Sequence, residues 1–263
     1  MATPRRLVFG DVAELYDRHR PTYPPALVDD LIGDAGIRAG ERVLEVGAGT
    51  GKATELFAAR GVAVLAIEPS PGMAGIARRK FAGDPHVAIV ESDFELWDPA
   101  GERFGLLYCA QAWHWVDPAA RYARARGALT PGGLLAAFWN RPAWAPSPLR
   151  DALRAVYAEI APELSTGGSM HPAHVRSESS GEDWAAELAG VSEFADADSR
   201  IYAWDQDYTA DEFIGVLGTL SEYRLLEQGP RERILGAVAE TIQAHGQTFT
   251  MPMATLLCTA RAM

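Results

Sequence analysis

Cysteine and lysine are each used only twice in the 263 residues, and nowhere do about 18 apolar residues run together. Each shortage excludes something. Cys109 and Cys258 lie in separate apolar, strand-like runs. That placement argues against a disulfide framework or a thiolate zinc site and suits buried thiols in a reducing compartment, the cytoplasm. The missing apolar run leaves no candidate membrane span. The first ten residues, MATPRRLVFG, carry two arginines but lead into no apolar core of a secretory signal. Positive charge is also short: the formal net charge is −11, so the chain lacks the basic footprint of a nucleic-acid binder. Of the histidines, only His171 and His174 fall close together, flanking Pro172 in a polar stretch. No metal site is expected. No internal repeat or coiled-coil heptad is evident.

What is present is a composition with 48% hydrophobic residues, enough for a large core in a single elaborated domain. The first half alternates strand and helix signals. RVLEV (42–46), VAVLAIEP (62–69), HVAIVESD (86–93), FGLLYCAQ (104–111) and LLAAFWN (134–140) read as strands. ATELFAARG (53–61), GMAGIARRKF (72–81) and AARYARARGAL (119–129) read as the helices between them, and PGG (131–133) as a turn. This alternation predicts a doubly wound α/β fold on a mainly parallel sheet, whose ligands bind at the carboxyl ends of the strands. The second half predicts a helix from Pro148 to Glu159, a polar loop from Ser165 to Gly181, and a strand over 199–208. Amphipathic helices follow over 210–227 and 230–245. The last strand spans 248–263, where Pro252 suggests an edge or bulge.

The segment VLEVGAGTGKAT (43–54) sets Gly47, Gly49 and Gly51 between a strand and a helix, where missing Cβ atoms let a ligand approach the backbone. A phosphate-cradling P-loop needs glycine where Val46 stands and a hydroxyl where Ala53 stands. A dinucleotide loop needs its third glycine at the position of Lys52, which leaves NAD as a second choice. Glu45 before the loop would repel a pyrophosphate but accept hydrogen bonds from an ammonium group.

With the second acid, Glu68, ending the next strand, this segment resembles the class I S-adenosylmethionine-dependent methyltransferases, in particular their small-molecule, type 11-like group. The resemblance continues through VLAIEPSPGM (64–73), ESDFELW (91–97), AQAWHWVDP (110–118) and LTPGGLLAAFWN (129–140), and resumes weakly at TLSEYRLL (219–226). It implies a seven-stranded Rossmann-like sheet, with a lid segment over 1–30, a cofactor-binding core over 31–145, and acceptor-side helices and two last strands over 146–263. It also implies the cofactor S-adenosylmethionine and a small organic acceptor methylated on oxygen, nitrogen or carbon. An alternative is another use of the same cofactor, by cyclisation or chain transfer, releasing methylthioadenosine.

The resemblance further implies roles for single residues. Glu45, Gly47, Ala48, Gly49 and Gly51 would form the loop around the methionine portion, and Glu68 would take both ribose hydroxyls beside Pro69. Asp93, Phe94 and Met73 would meet the adenine, and Gln111 and Ala112 would lie under the methionine chain. Tyr16 and Arg20 on the N-terminal helix would reach the cofactor carboxylate or the acceptor. Tyr23, Trp113, Trp115, Trp139, Asn140 and, on the tail helix with Ser221 and Arg224, Tyr223 are candidates for the acceptor pocket. His114 is either a general base, since imidazole titrates near neutrality, or a wall of the pocket.

Overall fold

The computed structural model describes residues 13–166, 170–172 and 184–263. One sheet of seven strands runs through it, in the order β3-β2-β1-β4-β5-β7-β6. The strands are β1 (Arg42–Val46), β2 (Ala63–Glu68), β3 (Val87–Glu91), β4 (Phe104–Ala110), β5 (Leu129–Pro142), β6 (Phe194–Thr209) and β7 (Thr248–Ala262). Strands β1 to β5 pair in parallel, and β7 is antiparallel to both its neighbours. The expected doubly wound sheet is therefore the observed one. The chain leaves β1 toward β2 on one side, and β4 pairs with β1 on the other. The switch point lies between β1 and β4.

Burial explains the run-like strands. β2 is buried along its whole length because both faces of the sheet are covered. Leu44, Val46, Leu65 and Ile67 pack on one face, while Val43, Val64 and Ala66 pack on the other with α2 (Pro25–Asp34) and α3 (Lys52–Ala58). A third cluster joins α6 (Pro148–Ile160), α8 (Ala210–Gly218), α10 (Gln228–Ala244) and the far ends of β6 and β7. Helices α4 (Pro71–Lys80) and α5 (Arg121–Ala128) follow β2 and β4.

Several expectations need correction. The N-terminal helix is α1 (Ala13–His19), followed by a Pro-containing turn, but α2, opened by Pro25 and anchored by Leu27, Val28 and Leu31, was not foreseen. The helix expected over 210–227 breaks. Thr219 Oγ1 donates to the Val216 carbonyl at 2.6 Å, Leu220 turns to φ −79° and ψ 138°, and a new short helix, α9 (Ser221–Arg224), begins. For Pro252 the expected edge is found: the β5 ladder ends opposite Met253, so the start of β7, Pro252 included, pairs with β6 alone. The Pro252 carbonyl accepts from Ala143 N–H at 2.7 Å, just past the end of β5, so the donor it lacks falls where that ladder stops. The polar loop expected over 165–181 lies mostly outside the described residues, as does His174. Its described part is packed rather than loose, because Met170 and His171 are buried and Arg150 Nε donates to the Pro172 carbonyl at 2.8 Å. Helix α7 (Trp184–Ala189) was also missed.

Candidate active site at the strand ends

The glycine loop leaves β1 and is tied at once to β2. Gly47 and Ala48 N–H both donate to the Ile67 carbonyl, and Gly49 N–H donates to Glu68 Oε2 at 2.8 Å. Ser70 N–H donates to Glu68 Oε1 at 2.8 Å. Both carboxylate oxygens are thus fixed by backbone donors, and each keeps a second lone pair. Glu68 is almost buried, and loss of solvent pushes its pKa up to about 6 against the opposing effect of those two donors. Gly47 adopts φ +71°, and a Cβ there would stand 2.5 Å from that of Ala112. Glycine is required by both conformation and space.

Glu68 lines a cavity of about 290 Å³ at the switch point, between the carboxyl ends of β1, β2 and β4. Gly47, Gly49, Pro69 and Met73 form one side, and Asp93 and Phe94, just past β3, form another. Gln111, Ala112, His114 and Trp115, past β4, make the floor. Tyr16 on α1 and Arg20 just past its end cover it, and α1 packs on α8 and α4. Among the described residues four carboxylates line it, those of Glu68, Asp93, Glu95 and Glu222, against the one guanidinium of Arg20. Such a chamber favours a cationic ligand.

Other expected residues stand elsewhere. Glu45 is fully buried beneath the loop, on the α3 face of the sheet. Its Oε2 accepts from the Thr54 hydroxyl at 2.5 Å and the Tyr108 hydroxyl at 2.9 Å, while Oε1 has no hydrogen-bond partner. Desolvation, only partly offset by those hydroxyls, raises its pKa to about 7. It does not line the cavity, and its partners are hydroxyls of the protein. Ala48 packs in the core, and Gly51 closes the loop against Phe81. Trp113 is buried against Phe94 and Tyr122, and Trp139 stacks on Trp184 at 5.1 Å. Tyr223 is buried with its hydroxyl bonded to that of Tyr157. These three are core residues because their rings fill the space between sheet and helices. Asn140 is a tether: its Nδ2 donates to the Thr22 carbonyl at 2.8 Å, and its Oδ1 accepts from Thr255 Oγ1 at 2.6 Å. It lines, with Tyr23, a smaller second cavity.

His114 departs most from its expected chemistry. Burial first, then the nearby charges of Arg141 and Arg121, lower its acidity constant to about 4. The ring is neutral near pH 7. Its Nδ1 accepts from Trp139 Nε1 at 3.4 Å, which leaves the ring proton on Nε2. The remaining nitrogen is then a donor, so the arrangement does not support a general base. Sequence reading missed Val46, Ile67, Glu95, Ala110, Val116, Leu220 and Glu222. Leu220 and Glu222 reach the cavity only because the tail helix breaks at Thr219, for which the sequence carries no strong breaker. Gln111 adopts φ +61°, uncommon for a residue with a side chain and a form of local strain found at binding sites.

Residues 43–133 match the family model described as "Methyltransferase domain". Over this stretch the chain is similar to methyltransferase domains. An uncharacterized methyltransferase of Mycobacterium tuberculosis is 37% identical over 134 residues, 51% of this chain and 52% of that protein. The chain thus spans about half the length of the curated relatives it matches. A putative type II methyltransferase from Anaeromyxobacter dehalogenans shares the fold with a TM-score of 0.62 at 22% identity, over 92% of this chain and 97% of that one. A methyltransferase from Thiobacillus denitrificans, solved with S-adenosyl-L-homocysteine, aligns over 100% of both chains with a TM-score of 0.51 at 16% identity. The matched segment runs from Val43 in β1 through β4 into the first residues of β5, where the turn expected over 131–133 is instead part of the strand, and holds Glu68, Asp93 and Gln111. No described helix is long and apolar enough to cross a membrane.

Proposed function

We propose that the protein transfers the methyl group of S-adenosylmethionine to a small organic acceptor. The observation that carries this reading is the Glu68 carboxylate, held by Gly49 and Ser70 N–H at the mouth of the glycine loop with one lone pair left on each oxygen. Two adjacent acceptors suit the two adjacent hydroxyls of a ribose. The cradle fits the rest of the cofactor. Gly47 and Gly49 present bare backbone, Asp93 and Phe94 offer an acceptor and a ring for the adenine, and the four carboxylates favour a sulfonium. When bound, the cofactor supplies an electrophilic methyl group.

The residues of the chain have a modest chemical task, because displacement at a sulfonium methyl needs alignment and exclusion of water more than acid or base strength. Phe94, Trp115, Val116 and Leu220 supply apolar wall. Neutral His114 adds no charge to repel the sulfonium, and its Nε2–H can hold an acceptor oxygen in line. Arg20 fixes the lid: its Nε donates to Thr219 Oγ1 at 2.7 Å and its guanidinium lies over the Tyr16 ring. Cys109 and Cys258 flank Ala137 across β5, two strand spacings or about 10 Å apart. Buried thiols at that separation suit the cytoplasm.

Mass spectrometry after incubation with S-adenosylmethionine and a pool of small metabolites tests the reading. Acceptor-dependent S-adenosylhomocysteine is expected. Methylthioadenosine formed with no acceptor present would move the protein to the cyclising or chain-transferring class.

A further inference from the structure

The second cavity differs in sign from the first. It holds about 60 Å³ and shares Tyr16, Arg20 and Gln111 with the large one. Its other lining includes Lys52, Asn140 and Tyr23, and no carboxylate of the described residues lines it. In a chain of net charge −11 with two lysines, one lysine and one arginine thus face the same small chamber.

Lys52 is oddly placed for a surface lysine. It is the first residue of α3, where the helix dipole disfavours a cation. It is half-buried, and loss of solvent lowers its basicity. No hydrogen bond or ion pair joins it to the described residues. The nearest acids are engaged elsewhere: Asp17 binds Lys80 Nζ at 2.6 Å, and Glu55 stands 3.9 Å from the same Nζ. Lys80, the other lysine, is therefore satisfied, while Lys52 has among the described residues only the through-space attraction of Asp17 and Glu55. Arg20 spends Nε on Thr219 and keeps donors in the chamber wall.

We propose that Lys52 and Arg20 form an oxyanion subsite that seats a carboxylate of the acceptor, so that the acceptor class is small organic acids. This rests on the methyl-transfer reading above. The volume supports a head group rather than a whole substrate, since about 60 Å³ equals roughly two water volumes. Tyr16, Arg20 and Gln111 stand between the two chambers, so an acid anchored by its carboxylate extends its remaining atoms past Gln111 toward the large cavity. The acidic large cavity would repel that carboxylate and the basic small one would draw it in, which orients the acceptor by charge.

Protein saturated with S-adenosylhomocysteine is titrated with four-to-six-carbon mono- and dicarboxylic acids, and with their primary amides as neutral isosteres. Wild type should bind at least one acid about tenfold or more tighter than its amide, and Lys52→Met should abolish that preference while S-adenosylhomocysteine still binds as before. A melting temperature of Lys52→Met equal to or above wild type shows the fold intact. Equal binding of acids and amides, or no binding of any acid, overturns the proposal. So does a tenfold loss of S-adenosylhomocysteine affinity in Lys52→Met with methylthioadenosine affinity unchanged, because the subsite would then hold the cofactor's own carboxylate. Failure of S-adenosylhomocysteine to bind wild type refutes the methyl-transfer reading instead, and is read separately.

Discussion

Replacing Glu68 with Gln separates what this side chain does for the fold from what it does for a ligand. In the folded protein its pKa rises from 4.5 to about 6, so the ionised form is disfavoured by about 2 kcal/mol relative to the unfolded chain. That penalty is absent below pH 4.5, grows between pH 4.5 and 6 as only the unfolded chain ionises, and is complete above pH 6. Glutamine removes the penalty. The raised value already includes the bonds from Gly49 and Ser70 N–H, so their weakening is not counted a second time, and unfolding free energy at pH 7.5 should rise by up to about 2 kcal/mol. Ligand binding has no such gain. S-adenosylhomocysteine affinity should fall by about 1.5 to 3 kcal/mol, roughly ten- to a hundredfold. Urea melts give the first quantity and calorimetric titration the second. An unchanged dissociation constant would refute the role assigned to Glu68, and a fall in stability would refute the burial penalty.

Gly47→Ala should destabilise the protein by about 2 kcal/mol or more and weaken S-adenosylhomocysteine binding, because the residue must hold φ +71° and its new methyl group meets Ala112; urea melts and titration check both. Glu45 should make the ligand-free protein lose stability as pH rises from about 4.5 to 7, since its folded pKa lies above its unfolded one. Melts at a series of pH values should show a shallower decline in Glu45→Gln, which keeps a carbonyl for Thr54 and Tyr108. With its acidity constant near 4, His114 contributes no titration to turnover between pH 5.5 and 8. Pre-steady-state rates of His114→Gln should fall less than about tenfold, below the effect of losing a general base; a lost wild-type transition near pH 6.5 would restore it as one.

The parallel half of the fold was legible because buried strands and their intervening helices carry strong, differently spaced apolar patterns. Glu68, Asp93 and Gln111 were legible because each falls at or just past the carboxyl end of such a strand. Residues whose role depends on which way a side chain turns were not. Trp113 and His114 are adjacent, yet one turns into the core and the other faces the cavity, a consequence of the 3-10 turn over Trp113–Trp115. Glu45 alternates to the α3 face because Leu44 and Val46 occupy the other, and only three-dimensional packing shows Thr54 and Tyr108 waiting there. The break at Thr219 has no glycine or proline at the bend itself. It is stabilised by the Thr219 hydroxyl and by Arg20, which comes from 199 residues away.

Thermal unfolding with S-adenosylhomocysteine, and separately with NAD, tests the assignment of the glycine loop most directly. At about 100 times its dissociation constant, S-adenosylhomocysteine should stabilise the protein by roughly 2.7 kcal/mol. For a chain of this size that is a rise of about 5 to 10 °C, while NAD at the same concentration leaves the melting temperature in place. A shift with NAD and none with S-adenosylhomocysteine would contradict the account.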